Sequence, residues 1–147
     1  MTRVFGWYAG LIVFLVDFVK GYLPLWFLQK FYAFHYPWLV TSAALALVVG
    51  HCFSPYLKLR GGKGVATSLG CLAFLILPGA FIALTVYLLA LALTRISAVG
   101  SLSGMVALWG YMIFANPEPS VKWFVVLVSI IVMLRHHQNI RRLIKGN

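Results

Sequence analysis

Residues 65–93 form 29 consecutive positions without one charged side chain. A stretch of about 20 apolar residues is enough to cross a hydrocarbon layer roughly 30 Å thick. Four more apolar runs lie near 7–29, 36–53, 98–115 and 121–134. The chain as a whole is 63% hydrophobic and 10% charged, against about 25% charged residues in a soluble domain. Too few polar groups exist to cover a water-facing surface. The predicted architecture is therefore all-α, a polytopic transmembrane helix bundle forming one domain over residues 1–147.

The long third run contains Pro78-Gly79 near its middle. It is either one kinked helix or a hairpin of two short ones, and the cations discriminate between these. With a hairpin, one side of the membrane carries Arg3, Lys58, Arg60, Lys63, Arg95, Arg135, Arg141, Arg142 and Lys145, nine cations, and the other carries only Lys30 and Lys122, two. With one helix the split is five to six. The asymmetric arrangement predicts about six crossings with both ends in the cytoplasm, and a break that leaves helices over 65–77 and 80–93. Each half would span only about 20 Å.

The formal charge is +10, with Asp17 and Glu118 the only acidic side chains. Such basicity in a soluble chain suggests nucleic acid. Here the cations sit at the ends of apolar runs, which points to membrane phosphates and anionic substrates instead, and no nucleic-acid partner is expected. Two acids exclude most paired-carboxylate chemistry and an acidic metal cluster, so no metal and no cofactor are expected. Cys52 and Cys71 read as small apolar residues. The N-terminus has no pattern of a cleavable signal peptide.

One turn carries chemistry: Lys58-Leu59-Arg60-Gly61-Gly62-Lys63-Gly64, opening into the run at Val65. Glycines allow the backbone close to an anion, and the first amides of a helix are free donors. Its spacing is not that of a Walker A loop. Its simpler reading is a loop whose cations set topology. The predicted topology brings His51, this loop, Arg95, Ser97, Ser101, Arg135, His136 and Asn139 to one face. His136 and Asn139 are three apart, on one side of a helix. Beyond them Ile140, Leu143 and Ile144 suit an amphipathic segment lying on the membrane. Asp17 and Lys20 read as a structural pair within the first run. Neither His51 nor His136 is followed at four residues by an acid, and a mid-membrane Asp17 offers no Ser-His-Asp set. An enzyme with these tools relies on positioning and charge stabilisation, which suits a substrate that brings its own activation, such as an acyl phosphate.

These residues resemble a known family. Gly50-His51-Cys52-Phe53-Ser54-Pro55, then Lys58-Leu59-Arg60-Gly61-Gly62-Lys63-Gly64-Val65-Ala66-Thr67, is similar to the central motif of the bacterial acyl-phosphate:glycerol-3-phosphate acyltransferases of the PlsY type. Asp17-Phe18-Val19-Lys20-Gly21, Thr94-Arg95-Ile96-Ser97 and Arg135-His136-His137-Gln138-Asn139-Ile140 resemble its other segments, in family order. The resemblance implies transfer of a fatty acyl group from acyl phosphate to the 1-hydroxyl of glycerol 3-phosphate, on the cytoplasmic face of the bacterial inner membrane. It places Gly61, Gly62, Lys63 and Gly64 on phosphate, with Arg60 and Thr67 beside them. It gives His136, Asn139 and His51 catalytic or orienting roles, with Arg95, Ser97 and Ser101 as further candidates. Two departures stand out. The family's first helix and a glycine-serine-asparagine segment precede the point where this sequence starts, so six helices are expected against the family's seven. Ala98 also stands where the family often has serine. The competing expectations are a catalytically inactive relative that binds or pairs within the membrane, and a small anion transporter. No internal repeat supports the latter.

Overall fold

The computed structural model describes residues 2–32, 36–53 and 61–145. Among these, all regular structure is helical: α1 (Thr2–Tyr32), α2 (Pro37–Cys52), α3 (Val65–Leu75), α4 (Leu77–Thr94), α5 (Ser97–Ala115), α6 (Pro119–Arg135) and α7 (His137–Lys145). Six of the seven are apolar and α7 is amphipathic. By length and composition Trp7–Phe31, α4 and α5 are each able to cross a membrane, and α6 joins α7 as a bent pair. The outward surface agrees. Phe114 is 89% exposed and Leu93 84%, side chains that lipid would cover favourably.

The third apolar run is two helices, and the break is not at Pro78-Gly79. It falls at Ile76, whose extended backbone (φ −156°, ψ 74°) ends α3 and caps α4. Proline is well placed in the first turn of a helix, where its missing N–H has no acceptor to lose. Pro78 therefore starts α4 rather than stopping it. Gly79 continues the helix and lies against Tyr111 and Leu108 of α5. The result is unequal: α4 has 18 residues and α3 only 11, about 16 Å. The short α3 is held within the bundle by α1 and α2.

Small residues set the packing. A Cβ on Gly21 would overlap the Thr67 carbonyl, and one on Gly70 would overlap the Phe18 carbonyl. α1 and α3 thus cross with backbones in contact, as helices in lipid commonly do. Tyr22 meets Phe74 edge-on at 5.8 Å. α5 returns antiparallel along α4, with Gly100 on Tyr87 and Gly104 on Ala83. α2 closes the core against α6, through Val40, Ala44, Val48 and Cys52 on one side and Phe124, Val125, Val128 and Val132 on the other. Cys52 and Cys71 are free and buried. The Cys71 thiol donates to the Gly21 carbonyl at 3.5 Å.

Candidate functional site

The glycine loop enters α3 through Gly64, whose φ of +81° is a left-handed conformation that glycine adopts at little cost. Its bare Cα also leaves room for the Cys52 sulfur. Gly61 lies on the backbone of His51 and Cys52, and Gly62 lies on the His51 imidazole, so neither position has space for a side chain. Arg135, the last residue of α6, completes the frame. Its Nε donates to the Gly62 carbonyl at 3.2 Å and its Nη2 donates to the Gly61 carbonyl. The same guanidinium sits over the Phe53 ring, 5.5 Å from its centroid. A loop of three glycines would otherwise sample many conformations. Here α2 and α6 hold it in one.

The Asp17 carboxylate does not stand alone in the membrane with Lys20, as the spacing suggests. Lys20 Nζ does donate to Asp17 Oδ1 at 3.3 Å, but His51 Nδ1 lies 3.6 Å from the same oxygen. Both members of the His51–Asp17 pair are largely buried. A histidine–carboxylate pair is therefore present, formed across α1 and α2 by residues 34 positions apart. With Nδ1 toward Asp17, Nε2 is the atom that meets Gly62. The loop, His51 and Asp17 form one connected unit.

His136 caps α6 and is buried, at 1% exposure. Its Nδ1 lies 2.8 Å from the Val132 carbonyl. A carbonyl only accepts, so Nδ1 carries the proton, and in the neutral ring Nε2 keeps a free lone pair. Burial lowers its pKa below the ordinary histidine value. The Val132 carbonyl opposes that shift, and the charge of Lys63 adds to it. Lys63 is itself held below the ordinary lysine value, first by partial burial of its ammonium group and then by the charge of Arg142. Lys63, His136 and Arg142 thus converge from the loop, the end of α6 and α7. Two cations, Lys63 and Arg142, beside a neutral histidine and with no acid paired to them among the described residues, suit an anion.

Thr67 and Ser68, in the first turn of α3, are buried, and their hydroxyls have no hydrogen-bond partner among the described residues. Ser68 and Val65 line a narrow apolar cavity of about 70 Å³. Its wall runs down α6 from Val132 to Val125, about 10 Å along the axis. Leu72, Leu108 and Met105 line it as well. Val132 is the residue whose carbonyl anchors His136, so this end of the cavity wall lies one helical turn from His136.

The model of the glycerol-3-phosphate acyltransferase family matches residues 1–146. The chain belongs to the glycerol-3-phosphate acyltransferase family. The family enzyme of Anaeromyxobacter sp. (strain K) is 37% identical over 150 residues, covering 99% of this chain and 74% of the relative. That of Endomicrobium trichonymphae is 35% identical, covering 97% and 71%. That of Aquifex aeolicus (strain VF5) is 30% identical, covering 99% and 76%. The fold also matches crystal structures of PlsY (YgiH), an integral membrane glycerol 3-phosphate acyltransferase. Its glycerol 3-phosphate form superposes with a TM-score of 0.90 at 28% identity, over 99% of this chain and 72% of that one. Its lysophosphatidic acid form gives the same score and identity, over 99% and 74%.

Within this family member, Gly61, Gly62 and Gly64 pack on His51 and Cys52, Arg135 ties the loop to the end of α6, and the charge of Lys63 reaches His136; Thr67 is buried in the first turn of α3. Asn139 is half-buried in the first turn of α7, one turn past His136. Ser101 lines the cavity, with its hydroxyl donating to the Ser97 carbonyl at 3.0 Å. Ser97 Oγ lies 3.2 Å from the Tyr87 hydroxyl at the α4–α5 turn. Arg95 is exposed in that turn with φ +57°, and among the described residues no hydrogen bond ties it to the glycine loop. Arg60 and Lys58 lie outside the described residues, as does His35. Two contributors do not stand out in the residue pattern. Asp17 lies mid-run, and its nearness to His51 depends on the α1–α2 contact. Arg142 extends the spacing 136, 139, 142 by one more step, a helical signal available in the sequence.

Arg135→Ala should free both loop carbonyls and reduce acyl transfer by about tenfold to a hundredfold, with Arg135→Lys restoring little. Lysine cannot span two carbonyls as the guanidinium fork does. Steady-state rates in detergent measure this. A variant as active as the parent would mean that the loop keeps its shape unaided.

Proposed function

We propose that this chain transfers a fatty acyl group from acyl phosphate to the 1-hydroxyl of glycerol 3-phosphate, releasing lysophosphatidate and inorganic phosphate. The observation that carries the reading is a cationic, glycine-lined loop next to a narrow apolar cavity, which share the 65–68 turn of α3. An acyl phosphate has those two halves. The loop amides, Lys63 and the Thr67 and Ser68 hydroxyls hold the phosphoryl group, and the cavity takes the first part of the acyl chain. Glycerol 3-phosphate binds on the side of His136, Asn139 and Arg142.

The hydroxyl oxygen attacks the acyl carbon, and the bond from that carbon to the phosphate oxygen breaks. The proton passes to the departing phosphate, which becomes a better base as it leaves. His136 Nε2 accepts a hydrogen bond from the acceptor's glycerol and orients it. Asp17 fixes His51, and His51 supports Gly62. Lys63 and the loop stabilise charge on the leaving group, a preorganised electrostatic role. The whole chain acts as one unit, a multi-pass protein of the bacterial inner membrane with this loop on the cytoplasmic side. Support for that side comes from nine of eleven terminal cations falling with the loop, the pattern of the positive-inside rule.

The test is lysophosphatidate formation by the purified protein, with acyl phosphate and acyl-CoA supplied in parallel. Product from acyl phosphate alone is expected. A folded sample that makes none, or that prefers acyl-CoA, rejects the reading.

The His136 shift has a consequence for stability. A base whose folded pKa is depressed contributes fully above its unfolded value of about 6.5 and loses that contribution as pH falls toward the folded one. Melting temperature should therefore decline from pH 7 toward pH 5. The decline should be shallower in His136→Gln, as followed by thermal denaturation in detergent. Equal slopes would remove His136 as the titrating group.

A further inference from the structure

Away from the loop, α6 and α7 enclose a second amphiphilic feature. They meet at 58° across His136. The bend forms an open groove walled by Ile130, Met133 and Leu134 of α6 and by Ile140 and Ile144 of α7. Arg141 and Lys145 line it too, and the same two side chains line a neighbouring polar recess with Gln138 and Arg142. They stand at the border between an apolar trough and a cationic rim. The trough is open: Leu134 is 62% exposed and Ile144 81%.

We propose that this groove binds one anionic glycerophospholipid from the surrounding leaflet, with an acyl chain along α6 and its phosphate at Arg141 and Lys145. Charge complementarity selects that occupant. A zwitterionic lipid leaves the rim cations less compensated. A second copy of this chain offers no suitable acidic side chain, since Asp17 is engaged by Lys20 and His51 and Glu118 caps the opposite end of α6, about 25 Å away. A free phosphate makes no use of the apolar walls. An amphipathic helix at the end of a membrane span also sets its cations at headgroup depth. A lipid in the groove braces α7 against α6. Because the bend is at His136, the lipid thereby steadies the element that carries Asn139 and Arg142.

Native mass spectrometry of the full chain in detergent tests this, with phosphatidylglycerol and phosphatidylcholine of matched acyl chains. The wild type should retain phosphatidylglycerol preferentially. R141Q/K145Q should lose roughly 25-fold in affinity for it, about fivefold per cation removed, and R141K/K145R should keep the preference. Millimolar inorganic phosphate should not displace the lipid. Equal retention of both lipids by the wild type, or an unchanged preference in R141Q/K145Q, overturns the proposal. Displacement by inorganic phosphate assigns the cations to a bare anion and overturns it as well. The readout is lipid retention, so it stands whether or not the acyl-transfer reading does.

Discussion

Lys63→Ala should lower kcat/KM for acyl transfer by about a hundredfold to a thousandfold, the usual cost of deleting one preorganised charge donor, while leaving the melting temperature nearly unchanged. The two expectations have separate sources. Lys63 is exposed and makes no hydrogen bond to the protein among the described residues, so little packing is lost. Its ammonium is already pushed toward deprotonation by partial burial and by Arg142, and removing one of two like charges relieves that repulsion. What disappears is the charge that would meet phosphate. Lys63→Arg should recover only part of the rate, because a planar guanidinium does not reproduce a compact ammonium. Initial rates at varied acyl phosphate, with a melting curve on the same sample, measure both. A normal rate in Lys63→Ala would remove the phosphate-loop assignment. A collapsed melting curve would make Lys63 a structural residue instead.

The second large effect concerns folding. Gly70→Leu should abolish folded protein, seen as loss of the monodisperse peak on size exclusion after detergent extraction. Even a single Cβ at position 70 would overlap the Phe18 carbonyl and crowd the Tyr22 amide. Backbone is in the way, so no rotamer change relieves it. Gly21 meets Thr67 and Cys71 from the other side, so α1 and α3 would have to separate. Overpacking of this kind costs about 3 kcal/mol or more. It would also move Val65 and Thr67, at the start of α3, where the loop enters. Gly110→Leu is the control, because a Cβ there has nothing within 4 Å. A well-folded Gly70→Leu protein would mean that α3 is not fixed by its crossing with α1.

Much of the bundle was legible. Apolar runs at 36–53, 98–115 and 121–134 became α2, α5 and α6 with ends moved by one or two residues, because charged and turn residues punctuate a membrane sequence sharply. The division of the third run was legible too, but its position was not. Proline and glycine together look like a turn, yet Pro78 is tolerated at a helix start, and Gly79 is a contact with Tyr111. The glycine loop and His136 could be picked out because their residue types carry the chemistry. The partners of these residues could not. Arg135 reaches the carbonyls of Gly61 and Gly62 across more than 70 positions, and Asp17 reaches His51 across 34.

By itself the sequence determined that this chain is a bundle of apolar helices with most of its charges at the helix ends, because lipid requires satisfied backbones and charged ends stay near water. The tertiary structure decided which of those cations meet. Only the crossing of α1 with α3 and the closure of α2 on α6 bring Lys63 within reach of His136 and Arg142. Pairing over long separations depends on which helix faces meet, and the local pattern of residues does not specify that.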